Sequence, residues 1–167
     1  MSTPAITKEI LLEWLDYNHA SGGFTWKQKP NRHIRVGTIA GVQTPNGYWR
    51  LFLKGKSMLA HRAAWLAVHG KWPTHETDHI NGNRIDNRIA NLREATSAEN
   101  KQNVARTNKS GFCGVAACGL GYRAKIRAAG TIHYLGFFKS PELASMAYLA
   151  AKRELHTFQP TLRKGVR

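Results

Sequence analysis

Acidic residues and cysteine are scarce in this chain. Ten Asp and Glu stand against 25 Lys and Arg in 167 residues, giving a net charge of +15 and a pI near 10.4. Such an excess points to a polyanionic partner, more often nucleic acid than an anionic membrane. Long apolar runs are also missing: none approaches the roughly 20 residues of a membrane span. The N-terminus lacks the charged-then-apolar pattern of a secretory leader. The basic residues are spread along the chain and not gathered on one amphipathic helix, so a cytoplasmic protein with no membrane partner is expected. The two cysteines, Cys113 and Cys118, are too few for a disulfide framework and lack the Cys-x-x-Cys spacing of structural zinc. They read as reduced, mostly packed thiols. What is present suffices for folding: 42% hydrophobic and 10% aromatic residues exceed what a disordered chain of this charge carries. The length fits one medium domain or two small ones with small cores.

Hydrophobic spacing predicts a helix over residues 4–17 (Ile6, Ile10, Leu11, Trp14, Leu15), with Thr3 or Thr7 as cap. Ser21-Gly22-Gly23 breaks it, and Phe24-Thr25-Trp26 reads as a strand. Residues 31–46 read as a basic loop. Residues 48–53 and 57–60 form a hairpin about Lys54-Gly55-Lys56. A helix follows over 61–69, with Ala64, Trp65 and Val68 on one face, ended by Gly70. Residues 76–80 and 92–95 read as short strands around a polar loop, and Thr96 or Ser97 caps a helix over 98–104. After a polar, basic linker at 105–111 come three antiparallel strands (114–117, 122–128, 131–138). A helix capped by Ser140 then runs to about Leu155, with Pro141 at its first position. It is expected to bury Leu143, Ala144, Ala147, Tyr148, Ala151 and Leu155. Residues 159–167 read as a basic tail.

The densest chemistry lies between residues 78 and 100. Asp78 and His79 open the segment, Asn91 follows twelve residues after His79, and Asn100 closes it. Hydrolysis of a phosphodiester needs a deprotonated water, neutralisation of the charge growing on phosphorus, and a stabilised leaving oxygen. One divalent ion serves the last two needs. Mg²⁺ takes oxygen ligands, usually one or two from protein, and Asp78 and Asn100 offer a carboxylate and an amide oxygen. His79, pointing away from Asp78 in a strand, is placed to reach water, and an imidazole suits a base at neutral pH. Asp86, Asn87 and Arg88 read as loop-fixing groups, and His61 and Arg62 as helix-packing residues.

Asp78-His79-Ile80, the Asn81-Gly82-Asn83 turn, Asp86-Asn87-Arg88, Asn91-Leu92 and Ser97-Ala98-Glu99-Asn100 together resemble the HNH endonuclease motif. The form is that of small phage and intron-encoded homing nucleases. Gly47-Tyr48, Gly55-Lys56 and His61-Arg62 with Trp65 resemble the segment that commonly precedes it, so the likeness covers roughly residues 5–104. It implies a ββα-metal (His-Me finger) fold, His79 as general base, and Asp78 and Asn100 as metal ligands. Asn91 would orient the loop or His79. The final His of the motif's name is Asn100 here, which favours Mg²⁺ or Mn²⁺ over a nitrogen-preferring Zn²⁺.

The second half is the more basic. Residues 104–167 hold 11 Lys and Arg against two acids. Arg123, Lys125 and Arg127 alternate along one strand and so leave the same face, with Tyr134 beside them on the next strand. Ala124 and Ile126 face the helix. Ser110-Gly111-Phe112, Gly114-Val115, residues 122–127, Leu135-Gly136-Phe137-Phe138 and residues 144–151 resemble an AP2 DNA-binding domain. The resemblance implies DNA contacts from Lys125, Arg127 and Tyr134, with Arg123 on the same face or its edge. Ala116, Ala117 and Cys118 depart from the basic and polar residues often found on that family's first strand.

The expectation is therefore an α+β chain. A nuclease domain at 1–104, with an N-terminal helix and hairpin, is joined by the linker 105–111 to an AP2-like domain at 112–158. Its expected activity is metal-dependent cleavage of double-stranded DNA, by nicking or double-strand breakage, in a homing role. A phage-encoded chain would act in the bacterial host cytoplasm. No protein partner is evident, and a monomer or weak dimer is expected. A different class also fits: a non-catalytic, sequence-specific DNA-binding regulator on a degenerate scaffold, or, less well, a structured-RNA binder.

Overall fold

The structure, a computed structural model, describes residues 5–103 and 109–158. Much of the expected linker and all of the basic tail lie outside the described residues. The chain divides into two compact units, Met1–Ser97 and Ala98–Arg167.

The first unit begins with helix α1 (Lys8–Trp14), capped by Thr7, whose Oγ1 accepts from Ile10 N. The helix is shorter than the expected 4–17. Leu15 turns extended (φ −127°, ψ 143°) and opens strand β1 (Leu15–Tyr17), which pairs antiparallel with β2 (Phe24–Trp26). Tertiary pairing wins because Leu15 and Tyr17 bury on one face while Asp16 stays exposed, a period of two. A three-stranded antiparallel sheet follows: β3 (Val42–Gln43), β4 (Trp49–Leu53) and β5 (Lys56–Leu59) in the order β3-β4-β5. Strand β3 falls inside the stretch expected to be loop.

Helix α2 (Ala60–His69) stops at Gly70, which takes the left-handed φ of 75°. Its Ala60, Ala63, Ala64 and Ala67 are buried beside Leu66. Small side chains let the helix axis approach the sheet closely. One continuous core joins these elements: Leu11, Leu15, Phe24, Trp26, Leu51, Leu53 and Leu66 among them. Against this core stands the two-stranded antiparallel pair β6 (Glu76–His79) and β7 (Leu92–Ala95), in register Asp78↔Arg93 and His79↔Leu92. A 3-10 turn, Ile89–Asn91, ends the loop between them. Leu92 joins the core, so the strand that carries the site is tied to the hydrophobic body.

Helix α3 (Ser97–Asn103) begins at the division between the units. The second unit holds strands β8 (Val115–Cys118), β9 (Gly121–Ala128) and β10 (Thr131–Phe138) as an antiparallel sheet in the order β10-β9-β8. Helix α4 (Pro141–Leu155) packs on it. Ser140 Oγ accepts from Leu143 N, the expected cap. The core is small: Val115, Ala124 and Ala144, with Phe112, Tyr122, Leu135 and Phe138 packed against it.

Leu143 and Leu155 are exposed, contrary to expectation. A three-stranded sheet covers only a narrow stripe of a helix, here Ala144, Tyr148 and Lys152, with Ala147 and Ala151 half-buried at its flank. Cys113 is half-buried and Cys118 exposed, both free; the second thiol is therefore not packed as expected, because β8 is an edge strand. No helix among the described residues is long and apolar enough to cross a membrane.

Candidate functional site

Strand β6 places Asp78 and His79 on opposite faces, and both are buried. Asp78 faces Arg93 across the strand pair. Arg93 Nε and Nη2 both donate to Asp78 Oδ2, at 3.0 and 2.8 Å. This ion pair is part-buried, and its guanidinium fixes the carboxylate's orientation, as a charge-assisted fork does. Arg93 belongs to no motif segment; its one signal in the sequence is the strand register, which sets residue 93 opposite residue 78.

His79 turns into a cage of rings. The His61 ring lies edge-on at 5.0 Å between centroids, and Tyr48 lies 6.1 Å from His79 and 5.4 Å from His61. His61 is thus a wall of the site and not only a helix-packing residue, because β5 delivers the first turn of α2 beneath β6. Its Nδ1 is buried with no hydrogen-bond partner among the described residues. Burial, with the neighbouring His79 and Arg62, pushes the His61 imidazole down to about 3, so it is a neutral wall at physiological pH. Arg84 stacks on Tyr48 at 4.9 Å and donates to Asn46 O at 2.8 Å, which holds a cation at the mouth of the cage.

Burial also lowers the pKa of His79, opposed by its hydrogen bond to Asn87 and by the charges of Asp78 and Asp86. The bond joins His79 Nε2 and Asn87 Oδ1 at 3.1 Å. A carbonyl oxygen only accepts, so this contact requires a proton on Nε2, which in the neutral ring leaves the lone pair on Nδ1. That is the state a general base requires. Asn87 therefore does more than fix the loop.

Asn91 bonds across the loop. Its Oδ1 accepts from Asn81 N at 3.0 Å and its Nδ2 donates to Asp86 O at 2.8 Å. These bonds cross the loop and cinch it, while Ile80 N donates to Asn91 O. Gly82, at φ 70°, makes the turn after His79. Asp86 receives a fork from Arg88 and a bond from Asn81 Nδ2. These neighbours, Arg88 first, hold the Asp86 carboxyl below its usual range. The two residues fix the loop as their types suggest.

Asn100 sits half-buried on α3, which groups with the second unit. Among the described residues, no three His, Cys, Asp or Glu side chains cluster as a metal set. Asp78 and Asn100 each offer an oxygen of the kind that a hard cation takes.

In the second unit the outer face of the sheet carries the expected cations. Arg123, Lys125 and Arg127 are exposed, while Ala124 and Ile126 are buried. Tyr134 pairs with Lys125 as expected, Ile132 pairs with Arg127, and Phe137 pairs with Arg123. All three β10 side chains are exposed. A bulge between Tyr134 and Gly136 makes this possible. It shifts the alternation by one residue, sending Leu135 and Phe138 to the core and Phe137 outward. Strict alternation from sequence misses Phe137 for that reason.

Residues 58–102, the stretch from β5 through α2, β6, the cinched loop and β7 into α3, match the family model of the HNH endonuclease. No curated protein and no solved structure matches the chain.

Proposed function

We propose that this chain, with an HNH endonuclease segment at its centre, is a metal-dependent endonuclease of double-stranded DNA. The observation that carries the proposal is the arrangement around His79: a buried imidazole bonded through Nε2 to Asn87 Oδ1, beside an aspartate fixed on the adjoining strand position. His79 Nδ1 takes the proton of the attacking water. Burial behind the rings of His61 and Tyr48 disfavours the charged imidazolium and keeps the base form populated. Arg84, braced on Tyr48, offers positive charge to a phosphate approaching the cage. Asp78 and Asn100 would hold one Mg²⁺ or Mn²⁺ ion, which when bound neutralises charge on the phosphate and the departing oxygen.

The second unit would hold the duplex. Its exposed row of Arg123, Lys125 and Arg127 neutralises phosphates or reads guanine edges, and Tyr134 lies within the same row. A three-stranded sheet backed by one helix is the architecture that an AP2-like reading of residues 112–158 requires. One centre per chain favours nicking, and a second event or a second copy would complete a double-strand break. A homing role for a phage-type chain fits this activity.

Attack that expels the 3′ oxygen leaves 5′-phosphate and 3′-hydroxyl ends. DNA ligase is therefore expected to reseal nicks that the protein makes in a duplex. Nicks that ligase cannot close would contradict the proposed direction of attack.

A further inference from the structure

Hairpin β1–β2 lies outside residues 58–102, yet it grips the loop that orients His79. Tyr17 Oη donates to the backbone O of Asn87 at 2.8 Å, a buried bond that spans 70 residues of sequence. The Tyr17 ring is held in turn by Phe24 at 5.0 Å and His19 at 4.9 Å. Gly22, in the hairpin turn, sits at φ +73° directly against the same loop. A Cβ there would lie 2.3 Å from Arg88 N and 2.4 Å from Asn87 C, both backbone atoms that cannot swing away. The turn is closed by Gly22 N to Asn18 O and Asn18 N to Gly23 O. Two independent contacts thus fix the main chain of Asn87 from the N-terminal side.

The Asn87 side chain passes that constraint on. Its Nδ2 donates to Ile85 O at 3.4 Å, which sets the rotation of the amide and aims Oδ1 at His79 Nε2. We propose that the hairpin is a positioning element for the base: Tyr17 and Gly22 fix Asn87, and Asn87 fixes the tautomer and ring plane of His79. The inference rests on His79 being the general base. A polar loop of this length samples many conformers unless tied down. A hydrogen bond from a rigid hairpin removes that freedom before substrate arrives, and displacement of a base by about 1 Å costs on the order of 100-fold in rate.

The test uses the full chain with Tyr17→Phe, Asn87→Ala and Asn87→Asp, read two ways. ¹⁵N spectra of His79, taken where imidazoles are neutral and assigned with His79→Gln, report the tautomer without any need for activity. Single-turnover cleavage of a plasmid and its binding without metal report rate and affinity separately. Wild type is expected to show the Nε2–H tautomer. Asn87→Ala should mix the tautomers, Asn87→Asp should restore Nε2–H because a carboxylate still accepts, and Tyr17→Phe should broaden or mix the signal. Cleavage should fall about 100-fold for Asn87→Ala and about tenfold for Tyr17→Phe, with plasmid affinity unchanged. A folded Tyr17→Phe and Asn87→Ala with wild-type tautomer would overturn the inference, as would a mixed tautomer in wild type. If wild type shows Nε2–H but cleaves nothing, the positioning stands and the nuclease reading fails.

Discussion

Replacing His79 by Ala is expected to lower metal-dependent cleavage by about 10²- to 10⁴-fold while leaving DNA affinity close to wild type, the range lost with a positioned general base. The ring is 4% exposed and walled by His61 and Tyr48, so it offers little surface to bound DNA. The rate should also carry the signature of its environment. Burial lowers the pKa of His79 from the ordinary 6.5, and the base works only when neutral. Cleavage should therefore hold steady as pH drops through 6.5 and decline only at a lower pH. A decline centred above 6.5 would mean that His79 is not the base, or that a nearby anion outweighs its burial. Single-turnover rates of wild type and His79→Ala across pH make the comparison.

Gly114→Ala should be the most damaging change in the second unit, by about 3 kcal/mol or more. The residue sits at φ +72°, where a Cβ costs strain, and that Cβ would lie 2.2 Å from the Tyr148 ring and 2.7 Å from Lys125 O. Tyr148 is one of the few residues by which α4 grips the sheet, and Lys125 N donates to Gly114 O. A core as small as Val115, Ala124 and Ala144 has no reserve to absorb the shift. The cationic row is displayed by that same sheet. Loss of its order should flatten the dependence of DNA affinity on salt, by about 0.9 in the log–log slope for each phosphate the protein no longer neutralises. The triple variant of Arg123, Lys125 and Arg127 to Ala should flatten the slope equally while melting like wild type. A Gly114→Ala protein with unchanged melting would show that the packing is not as described, and a triple variant with an unchanged slope that the row does not hold DNA.

How much of this was legible in the chain depends on how local each feature is. Strands β6 and β7, the Asn81-Gly82 turn and the Ser140-Pro141 helix start were readable because each depends on a few consecutive residues. Asp78 and His79 on opposite faces followed from strand geometry. Strand β1 was not readable: Leu15 continues the helical spacing of Leu11, and only pairing with Phe24–Trp26 decides against the helix. The Phe137 position needed the bulge at Gly136. The exposure of Leu143 and Leu155 needed the width of the surface under α4. Within the site, Asn91 was singled out by its place in the motif, whereas Asn87 looked like one more polar loop residue. Its bond to His79 exists because the loop folds back, and Tyr17, far away in sequence, helps to hold it there.

Metal-dependent cutting of DNA by this chain is measured most directly by conversion of supercoiled plasmid by the purified protein. With Mg²⁺ or Mn²⁺, relaxed circles should appear first, then linear DNA, with no change when EDTA is present. Supercoiled plasmid that binds the protein yet stays intact with either metal would contradict it and leave a DNA-binding regulator on a nuclease scaffold.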